Sequence, residues 1–409
     1  IKYGKIDYLT LDYLAEVTMS IMQRQKKKNP KSGYATDFVK LIDKSINLIV
    51  DNKIKIIANA GGANPDACKA EILKIANREN VKLKVAIVSG DDIFDNIDAF
   101  QNKGEVFKNL NTGEDFEKIK DSICSANVYI DSFSIAKALE LGADIVLCGR
   151  ISDPGLVVGP CIYEFNWNQM HYDKLASATV AGHIIECGAQ CSGGNFSKWK
   201  QVESLDNVGY PIVNIDNNGS FDIVKPESTG GLINKFTVSE QILYELGNPK
   251  NYISPDVCVD FTSFKLKETS NNVVSVSGVK GFKPTDTFKV SISYFDGYKA
   301  SGQLTISGPD ALDKAKKSSE IIWSKLKKAG IEFDGTSTEY LGLSSCHGSI
   351  SKTPNIVNEI VLRVGVRSQF KVNVERFTKE LAPLITAGPP GVTGFAEGRP
   401  RVREIIAYW

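Results

Sequence analysis

The strongest constraint on this chain's fold is a repeated order: short apolar runs end in polar residues or glycine, and helical patterns follow several of them. The clearest apolar run lies at 143–161, ADIVLCGRISDPGLVVGPC, which breaks at Gly149 and has Arg150 and Asp153 as its only charged residues after Asp144. Buried parallel strands read as apolar runs, and such sheets bind ligands beyond the carboxyl ends of their strands. The Arg150–Asp153 pair is therefore a candidate site. The alternative is a structural ion pair that ties down a loop.

Upstream segments repeat this order. Apolar runs with polar or Gly-rich ends lie at 5–18, 54–68, 83–92 and 127–134, and helical patterns lie at 38–50, 65–79 and 134–142. The polar ends supply Asp12, Glu16, Asn59, Gly61, Gly62, Asn64, Asp91, Asp92 and Asp131. Alternating strands and helices are typical of βαβ units. We predict an α/β fold, a doubly wound and mostly parallel sheet whose strand ends share one edge, with a second α+β layer or domain.

The pattern changes near residue 200. Beyond it, β-branched residues alternate with polar ones and short turns intervene, which favours antiparallel strands. We therefore predict a parallel α/β domain at 1–200 that carries the site. The second domain, 201–409, would combine α+β structure and antiparallel strands with a Gly/Pro-rich C-terminal loop.

Charge and composition favour a small-molecule partner. The chain has 49 Lys and Arg against 48 Asp and Glu, so its net charge of +1 provides no basic field for nucleic acid or a membrane surface. No apolar run approaches the roughly 20 residues of a membrane span. The 8 cysteines lack paired zinc-type spacing, which fits reduced intracellular thiols. We expect a cytoplasmic homo-oligomer. Because the chain begins at Ile1, a removed leader and the mitochondrial matrix stay open.

The segment 173–194 is predicted to form a helix with a polar stripe of Thr179, His183, Glu186 and Gln190. No Lys or Arg occurs between Leu175 and Ser197, so we expect the stripe to face a cleft or interface. His183 and Glu186, three residues apart, form a candidate acid–base pair. The alternative is a buried structural histidine. A metal site that also used Cys187 and Cys191 is disfavoured, because Cys-x3-Cys is a weak pattern and packing explains both thiols.

Two further segments are candidates for binding an anion. In the turn at 59–66, Asn64 suits an N-cap and Pro65 the first helical position, so free N–H groups would face a phosphate or carboxylate. A plain strand-to-helix turn is the alternative. Near the C-terminus, the Gly- and Pro-rich run at 388–404 would form an ordered loop that brings Arg399 to the strand ends or to a coenzyme A phosphate. It would otherwise be a surface connector.

Long motifs in this chain resemble the acyclic terpene utilisation (AtuA) family, formerly a domain of unknown function. They lie at 12–38, 59–68 (NAGGANPDAC), 90–92, 142–160 (GADIVLCGRISDPGLVVGP), 182–196 (GHIIECGAQCSGGNF) and 385–409. The resemblance runs nearly end to end. Members usually have a further strand and Gly-rich turn before the region matching 5–14, and many continue past the position of Trp409.

The resemblance implies intracellular catabolism of branched, prenyl-type acids through acyl-CoA intermediates, without implying a particular reaction. We expect acid–base chemistry of the hydration, isomerisation or C–C lyase type, with no cofactor beyond coenzyme A as part of the substrate. Glu16, Asp153, His183 and Glu186 are the candidate catalytic residues. The candidate substrate-binding residues are Asp12, Asn59, Gly61, Gly62, Asn64, Asp91, Asp92, Arg150, Gln190 and Arg399. The alternative is a non-catalytic binding or assembly subunit that partners an acyl-CoA carboxylase or dehydrogenase.

Overall fold

The structure is a computed structural model that describes residues 5–343, 345–352, 357–394 and 398–409. The chain divides into two compact units. The N-terminal unit comprises Ile1–Lys118 and Cys124–Ser293, and the C-terminal unit comprises Ile119–Ile123 and Tyr294–Trp409.

Helices and strands alternate in the first part of the chain, as the sequence predicts. The helices up to residue 243 are α1 Glu16–Lys28, α2 Thr36–Asp51, α3 Pro65–Arg78, α4 Ile97–Asn102, α5 Phe133–Glu140, α6 Gly155–Phe165, α7 Tyr172–Glu186 and α8 Lys235–Leu243. The strands up to residue 282 are β1 Tyr8–Leu11, β2 Lys55–Ala58, β3 Val85–Val88, β4 Ile123–Val128, β5 Ile145–Cys148, β6 Ile212–Ile215, β7 Phe221–Val224, β8 Tyr252–Ile253, β9 Cys258–Asp260, β10 Lys265–Ser270, β11 Val273–Ser277 and β12 Lys280–Phe282.

A parallel sheet positions the candidate site. Its strand order is β1-β2-β5-β3, with Ile57 opposite Val146. Because successive strand side chains point to opposite faces, Ile56 packs with α2 and α3 while Ile57 packs with α5 and α6. The mixed α/β character is confirmed. The doubly wound arrangement stays a prediction.

The strand expected at 127–134 is not part of this sheet. Strand β4 ends at Val128, and the next residues contribute an isolated parallel bridge between Ile130 and Ile151 before α5 begins at Phe133. Asp131 accepts a hydrogen bond from the backbone N–H of Phe133 at 3.0 Å, so it belongs to the start of α5. The apolar pattern was correct, but it does not reveal which strand a segment pairs with.

Helix α7 lies in the middle of a large core. Every residue from Leu175 to Ile184 is buried, and its neighbours include α6, α8 and the strands β7, β9 and β11. These strands belong to antiparallel sheets with the orders β10-β11-β7-β6 and β12-β9-β8. The antiparallel pattern after residue 200 therefore starts a new part of the same unit, and the division between units falls at Ser293 and Tyr294 instead.

The C-terminal unit has its own antiparallel sheet and core. Its strands are β13 Val290–Ser307, which begins in the N-terminal unit, β14 Gly335–Leu341, β15 Glu359–Ser368, β16 Val392–Thr393 and β17 Arg403–Tyr408; its helices are α9 Ala311–Lys328, α10 Lys371–Phe377 and α11 Leu384–Ala387. The order is β14-β15-β13-β16, and β17 also pairs with β13. One sheet face packs against α9 and α10 through Leu304, Leu362, Ile322 and Phe377. None of the described helices combines the length and apolarity that a membrane span needs.

Candidate functional site

Arg150 lies directly beyond the carboxyl end of β5, and its side chain is only 1 % exposed. Its Nε donates to the carbonyl of Ile151 at 2.9 Å and its Nη1 to the carbonyl of Leu14 at 2.7 Å, while Nη2 pairs with Asp153. The guanidinium carbon lies 4.3 Å from the centre of the Tyr129 ring. The predicted Arg150–Asp153 ion pair is therefore present, and Arg150 also ties three separate segments together.

Asp91, which follows β3 in the chain, also binds residues at this end of the sheet. Its Oδ2 accepts from the backbone N–H of Arg150 at 2.7 Å and from Nδ2 of Asn127 at 3.0 Å. Burial raises the pKa of Asp91, although these hydrogen bonds oppose the shift. Asp92 is exposed and accepts from the N–H of Phe94 at 3.1 Å, which makes it a turn residue.

Strands β1 and β2 are joined at the same edge by Asp12 and Asn59. Asn59 donates its Nδ2–H to Oδ1 of Asp12 at 2.5 Å and accepts from the N–H of Tyr13 at 2.6 Å. The N–H of Leu14 also donates to Asp12 at 3.0 Å, and the carbonyl of Leu14 accepts a hydrogen bond from Arg150. The sheet edge therefore assembles Asp12, Asn59 and Arg150, as parallel strands require.

Three carboxylates surround a small cavity in the N-terminal unit. Asp12, Asp153 and Glu186 line it together with Thr10, Leu156, Val157, Gly182 and Ile185, and its volume is about 20 Å³. A cavity of this size holds one water-sized group. The side chain of Asp153 is 37 % exposed and that of Glu186 is 11 % exposed, while Asp12 is exposed and marks the solvent side.

The carboxyl of Asp153 is poised to exchange a proton near neutral pH. Enclosure by the protein raises its pKa to about 7, and the neighbouring charges of Asp12 and Glu186 act in the same direction. The guanidinium of Arg150 opposes this shift without cancelling it. The main physical cause is therefore burial, and the two neighbouring carboxylates add to it.

His183 and Glu186 share a proton at the C-terminal end of α7. Nδ1 of His183 lies 3.1 Å from Oε1 of Glu186, and Nε2 lies 3.2 Å from the carbonyl oxygen of Ile242. A carbonyl only accepts, so Nε2 carries a hydrogen, and the Nδ1–Oε1 contact then needs one further proton from either partner. Burial lowers the pKa of His183, but the hydrogen bond and charge of Glu186 outweigh it, and the pKa is raised.

Glu186 is the member of this pair that reaches the cavity. Burial raises its pKa, the hydrogen bond from His183 opposes the shift, and the charges of Asp12 and Glu245 add to it. Its second oxygen, Oε2, is buried and has no hydrogen-bond partner in the described part of the chain. His183 is only 2 % exposed and packs edge-on against Phe261, so it acts through Glu186 rather than at the cavity.

The predicted helix at 173–194 is shorter than expected. Helix α7 ends at Glu186, and a 3₁₀ turn at Gly188–Gln190 follows, with Gly188 in the left-handed region at φ +59°. The lack of Lys and Arg reflects burial on all sides of the helix rather than one face towards a cleft. Gln190 lies in the 3₁₀ turn, and it is not among the residues that line the cavity.

Glu16, the first residue of α1, belongs to a neighbouring cluster that the sequence did not reveal. Its Oε1 accepts from the hydroxyl of Tyr129 and lies 3.4 Å from Nζ of Lys289. Burial opposes the charge of Glu16, but the Tyr129 hydrogen bond, a backbone hydrogen bond and the charges of Lys289 and Arg150 together outweigh it, and the pKa of Glu16 is lowered. Glu16 connects to Arg150 through the Tyr129 ring and does not line the cavity. The only sequence signal for Tyr129 was its place beside a strand end.

The turn between β2 and α3 follows the predicted local geometry. Asn64 caps α3 by accepting from the N–H of Ala67 at 3.4 Å, and Pro65 occupies the first turn. Gly62 has φ +52°, in the left-handed region that favours glycine, and a Cβ on Gly61 would lie 2.8 Å from the carbonyl oxygen of Cys148. These glycines allow the turn to lie against β5.

The expected free N–H groups of this turn are engaged within the protein. The N–H of Gly62 donates to Asn59, that of Ala63 to Gly33 at 3.0 Å and that of Asn64 to Gly61 at 2.9 Å. The Asn64 side chain also donates to the carbonyls of the loop at 30–32. This loop covers the helix start, so the structure favours a plain strand-to-helix turn over an anion cradle.

Arg399 is not among the residues of this cavity. It belongs to the C-terminal unit and lines a much larger cavity of about 700 Å³ there. Cys187 and Cys191 are free thiols, and Cys191 is fully buried in the core. Among the described residues, no group of His, Cys, Asp and Glu is arranged to hold a metal ion.

Comparison with known proteins gives one finding about kinship. The search of curated proteins and the search of solved structures returned no match. A family model described as acyclic terpene utilisation family protein AtuA matches residues 1–409. The match covers the whole chain and agrees with the motifs at the sheet edge and in α7. The chain therefore belongs to the acyclic terpene utilisation family AtuA.

Proposed function

We propose that the N-terminal unit is an acid–base enzyme of acyclic terpene utilisation. Its substrate would be a prenyl-type branched acid or the coenzyme A thioester of such an acid. The observation that carries the proposal is a cavity lined by both Asp153, with a pKa raised to about 7, and Glu186, whose Oε2 has no hydrogen-bond partner among the described residues. A general acid or base works best when its pKa lies near the operating pH.

The residues around the cavity would divide the work. Asp153 would transfer a proton to or from the substrate, and Arg150 would hold the carboxyl of Asp153 in place. Glu186 would accept a hydrogen bond from the substrate or transfer a second proton, and His183 would position Glu186. Hydration, isomerisation and C–C lyase reactions beside a carbonyl all need such proton transfers.

The size of the cavity limits how a substrate would bind. A volume of about 20 Å³ admits a reacting group but not a prenyl chain, so the remainder of the substrate would extend past the exposed Asp12. Arg150, a candidate substrate-binding residue, is unsuited to bind a substrate carboxylate, because its side chain is buried and each of its three nitrogens already donates to Leu14, Ile151 or Asp153. We therefore assign Arg150 to the support of Asp153.

These same facts favour one alternative. A small cavity, and an Arg150 whose hydrogen bonds are made within the protein, are also expected in a non-catalytic subunit that binds an acyl-CoA carboxylase or dehydrogenase. In that case the buried charges would serve the fold alone. The two functions differ in whether purified protein alone changes a substrate.

The test is incubation of the purified chain with a panel of prenyl acyl-CoA thioesters and free branched acids in deuterated water, read by mass spectrometry. We expect conversion or deuterium incorporation for at least one compound. Asp153→Asn should lower that rate by a factor on the order of 10²–10⁴. The matched control, Asp37→Asn, changes an exposed aspartate of α2 and should leave the rate unchanged.

Two results would contradict the proposal. In one, no compound in the panel is converted or exchanged. In the other, a conversion occurs and Asp153→Asn retains the full rate. Co-purification with a carboxylase or dehydrogenase, together with inactivity of the isolated chain, would support the alternative.

A further inference from the structure

We propose that the C-terminal unit carries a second ligand site, a basic cavity that binds the phosphate groups of a small, nucleotide-sized organic phosphate. The cavity has a volume of about 700 Å³. The proposal does not depend on the acid–base function of the N-terminal unit.

The floor of this basic cavity is formed by small residues of the sheet. Ser301 of β13 lies opposite Gly365 of β15, which in turn lies opposite Ser337 of β14. Side chains alternate between the faces of a strand, so these residues point away from the core side that holds Ala300 and Val364. Three small residues in a row leave room above the sheet for a ligand.

The C-terminal segment forms a cationic wall. In this segment Arg399, Pro400, Arg401, Arg403 and Ile405 line the cavity. Between them, Val402 packs against the core of this unit. From Arg401 to Ile405 the segment is therefore extended, with Arg401 and Arg403 on the side of the cavity. Glu404 is not among the residues that line the cavity.

The cations of the cavity are poorly neutralised. Lys299 and Arg367 lie side by side in the sheet register and add to the three arginines of the wall. Arg367 pairs with Asp296 at 3.1 Å. Within the described ranges, no carboxylate forms an ion pair with Lys299 or with the three wall arginines. Since the whole chain has a net charge of only +1, this concentration of positive charge is local.

The chemistry of the lining indicates the class of ligand. Guanidinium groups bind phosphate oxygens through paired N–H donors, and a cleft lined by one sign of charge concentrates the opposite ion. A cavity of about 700 Å³ falls within the range of small-molecule sites and far exceeds a single phosphate ion. A diphosphate attached to a nucleoside-sized group matches both the charge and the volume.

The experiment compares ADP with adenosine by calorimetric titration of the full chain at about 50 mM salt, where charge screening is modest. We expect ADP to bind and adenosine not to bind. The double variant Arg399→Glu/Arg401→Glu should weaken ADP binding by at least about tenfold, a change that titration resolves. The variant Arg403→Gln, at the start of β17, should weaken it less.

The control is Lys316→Glu/Lys379→Glu, which makes the same change of net charge at exposed lysines of the same unit, away from the cavity. This variant should bind ADP as the wild type does, and the thermal unfolding midpoint of each variant verifies its folding. Absence of ADP binding, equal binding of adenosine, or equal weakening in the control would overturn the proposal. Asp153→Asn should bind ADP normally, which separates this site from the proposed acid–base function.

Discussion

Gly182 in α7 faces Pro154 so closely that a Cβ on Gly182 would lie 2.6 Å from the carbonyl oxygen of Pro154. Pro154 directly follows Asp153, and Glu186 lies one helical turn beyond Gly182. The close crossing of the helix over this segment therefore brings the carboxyls of Asp153 and Glu186 to the same cavity.

We predict that Gly182→Ala destabilises the protein by about 1–3 kcal/mol, because the added methyl group overpacks a site closed by backbone. Urea unfolding at constant pH measures this free energy. Gly247→Ala is the matched control, since a Cβ there meets no heavy atom within 4 Å. Equal stability of Gly182→Ala and the wild type would contradict the close crossing.

The pKa of Asp153 predicts a pH dependence of stability. It rises from an ordinary 3.8 to about 7 in the folded protein, so between these values the folded state binds a proton that the unfolded state has released. The stability contributed by this group is complete below about pH 4 and is lost as the pH rises through about 7. Asp153→Asn removes this loss.

The measurement is the free energy of unfolding of Asp153→Asn relative to wild type at several pH values. We expect this difference to shift in favour of the variant between about pH 4 and pH 7 and to be constant above that range. Asp37→Asn, at an exposed site, serves as the control and should show no such shift. A pH-independent difference for Asp153→Asn would show that Asp153 is ionised throughout.

Arg150 is expected to be important for stability as well as for the site. Arg150→Met leaves the carbonyls of Leu14 and Ile151 without their donor and Asp153 without its cation, so we predict a loss of about 3–5 kcal/mol. Arg150→Lys keeps the charge but not the forked donors, and it should recover only part of this loss. Denaturant unfolding compares both with wild type. A loss within experimental error for Arg150→Met would show that these contacts contribute nothing.

The proton shared by His183 and Glu186 can be followed by NMR. In Glu186→Gln the hydrogen-bonded carboxylate is gone, burial then dominates, and the pKa of His183 should fall. Glu245→Gln should lower it less, because Glu245 acts on His183 by charge alone. The titration of the labelled His183 ring, assigned with His183→Asn, gives both shifts. An unchanged pKa in Glu186→Gln would argue against the shared proton.

Local sequence patterns were sufficient for many elements near the site. The apolar run and the turn residues Asn64 and Pro65 correctly predicted β2 followed by α3, and the apolar run that breaks at Gly149 predicted β5. The Arg150–Asp153 pair was also evident from a spacing of three residues. These features depend on caps, periodicity and neighbours in the chain, all of which a sequence displays directly.

By itself, the sequence determined the family of the chain, its strand-to-helix order and most of the polar residues at the sheet edge. Only the tertiary structure decided how these residues are used. In the folded chain, the N–H groups of the turn after β2 are hydrogen-bonded within the protein and α7 is buried on all sides. Asn59 is hydrogen-bonded to Asp12, and Arg399 lines another cavity. The proton affinity of Asp153 likewise depends on burial and on Asp12 and Glu186, which lie far from it along the chain. Burial and electrostatic interaction are functions of distance in space, and a linear sequence does not contain those distances.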